Sequence, residues 1–127
     1  MRFEERELKG YAEPVPPSRL VQGAAYFSVT YVDDQMLMPR VEPLIFAGEN
    51  LDLGDVGRVV YFQDVVSYRQ GIRRDSPAED GEATFFATPE GELKHMFEYE
   101  GALDELLRCA LRRRKKAMDG LGRVAPI

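Results

Sequence analysis

The sequence predicts a mainly β (β+α) domain, a small twisted β-barrel or sandwich with a C-terminal amphipathic helix. Three observations carry this expectation. Alternating apolar and polar residues recur between positions 20 and 99, clusters of Gly, Asp and Asn punctuate them, and beyond Gly101 the apolar period lengthens to that of a helix. With 127 residues the chain is one domain by length, able to bury about two-thirds of the surface its unfolded form exposes. Hydrophobic residues make up 44% and charged residues 31%, a balance typical of globular proteins rather than disordered or fibrous ones.

Residues 1–17 read as an N-terminal arm in which charges alternate before EPVPPS, whose prolines remove amide donors and favour extended backbone. Residues 18–127 form the single β-rich domain. Its strongest strand lies in LVQGAAYFSVTYV, where Ala25, Phe27, Val29 and Tyr31 share one face and Ser28 and Thr30 the other. In QMLMPRVEPLIFAGEN, Pro39 and Pro43 cannot donate to a ladder, which confines the first half to an edge or to irregular structure, whereas LIFAG reads as buried strand. GENLDLGDVGR is rich in turn-formers, VVYFQDVVSY is a further strand bent near Asp64, and RQGIRRDSPAEDGE is a polar excursion with nothing to pack. ATFFAT, PEG and ELKHMFEY fit a hairpin, with Leu93, His95, Phe97 and Tyr99 on one face.

From about 101 to 118 the spacing of Leu103, Leu106, Leu107, Ala110 and Leu111 predicts a helix that packs by its leucine face, ends at Gly120 and leaves a short tail. Arg108, Arg112 and Lys116 project opposite the leucines as a solvated face, and Arg114 continues the apolar stripe seven residues after Leu107, so that end either projects beyond the barrel into solvent or meets an acidic partner. Some five strands and a helix together suggest a small barrel of SH3-like, Sm-like or OB type.

The net charge of −5 conceals a segregation: Arg108, Arg112, Arg113, Arg114, Lys115 and Lys116 leave 11 basic residues against 22 acids in the rest, a balance of −11. The body therefore carries no basic footprint for nucleic acid, and an acidic pI near 5.0 disfavours such binding, so only the basic stretch keeps it open. These six residues are the candidate partner-binding set. Cys109 is the single cysteine and His95 the single histidine, so the chain has no internal disulfide and no Cys/His zinc cluster of its own. No apolar run approaches the roughly 20 residues of a membrane helix, and the N-terminus lacks a signal-peptide core, which points to a reducing, cytoplasmic setting.

SVTYVDDQMLM, residues 28–38, resembles the Tyr-X-Asp-Asp hairpin with which reverse transcriptases hold two magnesium ions. That resemblance implies a metal-dependent site at Asp33 and Asp34, but it spans a few residues, and the additional carboxylate strand and packed helices of such a palm domain have no counterpart in this chain. Local chemistry favours a hairpin loop longer than two residues, since Asp accepts backbone hydrogen bonds and no Gly is present for a tight turn. His95 is expected on an apolar face as a core residue rather than a general base. Asp52 and Asp55 miss the calcium-loop spacing, and the glycines around them lack the Lys-Ser/Thr ending of a phosphate cradle. No cofactor and no catalytic set is implied. The leading expectation is a non-enzymatic interaction or assembly module that binds a protein partner, including a second copy of itself. RNA or single-stranded nucleic-acid binding is the alternative, and an enzyme using Asp33 and Asp34 or His95 comes third.

Overall fold

A computed structural model describes residues 10–120. Five antiparallel strands form one sheet: β1 (Ala25–Tyr31), β2 (Pro39–Glu49), β3 (Val59–Asp64), β4 (Phe85–Pro89) and β5 (Met96–Phe97), in the order β4-β3-β2-β1-β5. Two helices accompany it, α1 (Val65–Arg69) and α2 (Tyr99–Asp119). The mainly β composition with a C-terminal helix is as expected. Closure into a barrel is not made, because β4 and β5 are the two ends of an open sheet.

Both faces of the sheet are covered. On one face Tyr26, Leu44, Phe46, Val60, Phe62 and Met96 pack with Val15 and Leu93, and Val15 is held there by its N–H donating to Met96 O at 2.8 Å. The other face carries Phe27, Val29 and Phe97 against Ala102 and Leu106 of α2, with Ala12 beside them. Alternation along β1 therefore does not separate core from solvent. Tyr26 is buried like Val29, although it points the opposite way.

β2 runs unbroken through both prolines, and the hydrogen-bond direction explains how. Phe46 N–H donates to Ala24 O, so the even-numbered amides of β2 face β1; Pro39 and Pro43 are odd-numbered and point to the other side. There β3 pairs only from Leu44 onward, so neither missing donor leaves a gap in a ladder. The edge expected for this half exists, but on one flank only. LIFAG is buried throughout, as predicted.

Three expectations are overturned. VVYFQDVVSY is not one bent strand: Asp64 accepts the Ser67 N–H at 2.9 Å and the Ser67 hydroxyl at 2.6 Å, a cap that ends β3 and starts α1. The polar excursion after it does pack, because Ile72 is buried and Arg73 lies 3.8 Å over the Tyr68 ring. ATFFAT and ELKHMFEY do not pair with each other. β4 joins β3 at one end of the sheet and β5 joins β1 at the other, since PEG enters a short 3-10 turn that carries the chain across the sheet. With β5 only two residues long, His95 is exposed rather than packed, and Tyr99 already belongs to α2.

Candidate functional site

The most distinctive region is where α2 meets the loop joining β1 to β2. Residues 32–38 form that loop, longer than two residues as predicted. Asp33 organises it: its carboxylate accepts Met38 N–H at 2.8 Å and Leu37 N–H at 3.0 Å. The same bonds, the one from Met38 foremost, hold its pKa below the ordinary 3.8. Met36, at φ 59°, makes the left-handed step that a loop without glycine requires. Asp33 thus spends its oxygens on its own backbone. Among the described residues no three His, Cys, Asp or Glu side chains converge as a metal set would.

α2 packs on the sheet by the face opposite to the one predicted. Ala102 and Cys109 are buried and Leu106 partly so, whereas Leu103, Leu107 and Leu111 are 54%, 59% and 52% exposed. The reason is close approach. At Gly101 an added Cβ would stand 3.0 Å from Glu13 O and 3.2 Å from the Phe97 ring, so the first turn of the helix lies close against its neighbours, with Ala102 buried beside it. Leucine at such positions would hold the helix off the sheet.

Below this small-residue face lies a polar knot that composition did not reveal. The Tyr31 hydroxyl donates to Glu105, whose side chain is largely buried. Arg112 completes it, with Nη2 donating to Tyr31 Oη at 2.6 Å and to Glu105 Oε2 at 3.2 Å, while its Nε donates to Met36 O at 3.0 Å. Burial first, and then the Glu105 carboxylate, push the Tyr31 pKa well above its ordinary value. The knot is legible only once Tyr31 and the helix are juxtaposed. Its sequence trace is the spacing of Ala102, Glu105, Cys109, Arg112 and Lys116, three and four residues apart, which marks a second helix face.

The six basic candidates divide between two sides. Arg112, Arg113 and Lys116 turn inward to the loop, the last two donating to Leu37 O at 3.3 Å and to Gln35 Oε1 at 2.6 Å. Cys109 adds its thiol, 3.6 Å from the carbonyls of Met36 and Leu37. Arg108 pairs with Asp104 at 3.0 Å, one turn before it. Arg108 and Lys115, with Arg112 and Glu105 of the knot and Leu111, also line an open groove of about 420 Å³ between α2, Tyr11 and Met36. Arg114 stands exposed among the outward leucines.

The fold and this site define a small β+α domain with one helix docked by its small-residue face and apolar on the other. No protein-family model, curated protein or solved structure matches the chain. Among the described residues no helix is long and apolar enough to cross a membrane.

Proposed function

We propose that the chain is a non-enzymatic protein-interaction module whose contact surface is the outward face of α2. One observation carries the reading: three leucines at successive four-residue intervals, each more than half exposed, on a helix whose opposite face is already packed. An isolated exposed leucine is ordinary, but a stripe that Tyr99 and Met118, both exposed, extend over the length of α2 is a face that a partner covers. Lys115 borders it as a polar rim, and Arg114 stands within it. The sheet and the Tyr31–Glu105–Arg112 knot make the platform rigid. The buried Cys109 thiol suits a reducing, cytoplasmic setting.

Photocrosslinking in cells tests this. A photoreactive p-benzoylphenylalanine replacing Leu107 is expected to give discrete covalent adducts, while the same residue replacing Val66, equally exposed on α1, gives none. Absence of adducts at position 107 would refute the module reading.

A further inference from the structure

The charge pattern along α2 selects the partner. On its outward face an acid, Glu100, stands near the start and the bases Arg114 and Lys115 near the end, while Asp104 pairs with Arg108 and Glu105, Arg112, Arg113 and Lys116 bond to groups of their own chain. A second helix of the same sequence complements this polarity only when it runs antiparallel, with acid over base at both ends. We propose that the occupant of the outward face is a second copy of this chain, joined through an antiparallel α2–α2 pair with its two-fold axis at Leu107. The proposal rests on the docking reading above and deepens it.

The register follows from the sequence alone once the exposed face is known. Around a two-fold at Leu107, positions equally far before and after that residue meet across the interface. Leu107 then meets Leu107, Leu103 meets Leu111, and Glu100 meets Arg114. All five positions lie within the outward sector of the helix, so one register buries every leucine of the stripe and pairs a carboxylate with the guanidinium interrupting it. A parallel pair would set Glu100 against Glu100 and Arg114 against Arg114, repulsive at both ends. Residues four apart form the ridges by which helices most commonly interdigitate, and Leu103, Leu107 and Leu111 are such a ridge. Arg114 thereby gains a reason to stand in an apolar stripe.

Sedimentation equilibrium of the full chain tests the inference, with thermal unfolding of each variant as a control that it folds. Wild type is expected to be a reversible dimer, and Leu107→Glu a monomer up to about 300 µM; at a concentration low enough to keep both monomeric their thermal midpoints should agree, because the residue is exposed in the single chain. Glu100→Arg and Arg114→Glu should each weaken the dimer on the order of tenfold, since every substitution acts twice across a two-fold. The double variant Glu100→Arg/Arg114→Glu should return to within about twofold of wild type, a rescue specific to the antiparallel register. A wild-type monomer at about 300 µM overturns the inference, as does a dimer indifferent to Leu107→Glu or a double variant as weak as the singles. If the wild type is monomeric yet position 107 crosslinks to another protein, the docking reading stands and the self-pairing falls.

Discussion

At the scale of single residues, Asp33 and Asp34 show how one dipeptide can suggest a catalytic box and yet divide into unlike parts. Asp33 is half-buried and accepts two amides of its own loop, whereas Asp34 is exposed. Asp33→Ala is expected to lower the thermal midpoint measured by calorimetry, because Leu37 and Met38 lose the acceptor that holds the loop's returning arm. Asp34→Ala should leave the midpoint unchanged. Equal effects would mean that the bonds from Leu37 and Met38 to Asp33 do not set the stability of the loop. That Asp33 would form a loop was readable from residue type, since Asp tolerates turns, but which of the two oxygens-bearing neighbours does the work depends on the path of Met36 and Leu37. No local pattern specifies that path.

At the scale of elements, α2 separates what a periodic pattern reveals from what it leaves open. The period gave a helix of nearly the right span, Tyr99–Asp119, with Gly120 at its end, and the apolar runs LIFAG and Val59–Asp64 gave strands in their right places. A wheel shows where the leucines are; it does not show which side the sheet will choose. The choice went to Ala102 and Cys109 because side-chain size governs how near two elements can lie. The pairing of β4 and β5 departs from the expected hairpin for a related reason. Hairpin signals are local, while the partners β3 and β1 are distant in sequence. α1 leaves no periodic trace in the sequence, because it is five residues long and its start depends on one side-chain cap. Of the candidate site, the basic run was legible as a cluster, but its division between the loop and the outward face was not. The packing choice can be checked by a contrasting pair of substitutions. Ala102→Leu should cost roughly 1–3 kcal/mol by overpacking the buried face, and Leu103→Ala, exposed in the single chain, no more than about 0.5 kcal/mol. Urea titration at a concentration low enough to keep the chain monomeric measures both, and the reverse order would place the leucine stripe inward.

For the molecule as a whole, four groups tie stability to pH at opposite ends of the scale. Asp33 and Asp64 both titrate below the ordinary 3.8. Met38 N–H leads for Asp33; at Asp64 desolvation pulls upward, and the Ser67 hydroxyl with the Thr84 and Ser67 amides outweighs it. A folded-state pKa below the unfolded one means that the unfolded chain binds protons more readily, so these carboxylates stabilise the fold fully above 3.8, and the contribution is lost as pH falls through their depressed values. Tyr61 works in the other direction. Its hydroxyl donates to Asp55 at 2.6 Å, and that bond, followed by burial, raises its pKa from 10.0 to about 12. Tyr31, in the knot beneath α2, is raised as well. Here the folded state holds the proton more tightly, so the contribution is complete below 10.0 and is lost as pH rises through about 12. Urea midpoints followed across pH should therefore form a plateau from roughly pH 5 to 9 with a fall on either side. Tyr61→Phe removes one titrating group from the alkaline limb, which should become shallower while the acid limb keeps its shape. Asp33→Ala should do the converse, because the two groups lie at separate loops, Asp33 between β1 and β2 and Tyr61 against the Asp52–Asp55 turn. An alkaline limb unaltered by Tyr61→Phe would assign that slope elsewhere, leaving Tyr31 as the group to replace next.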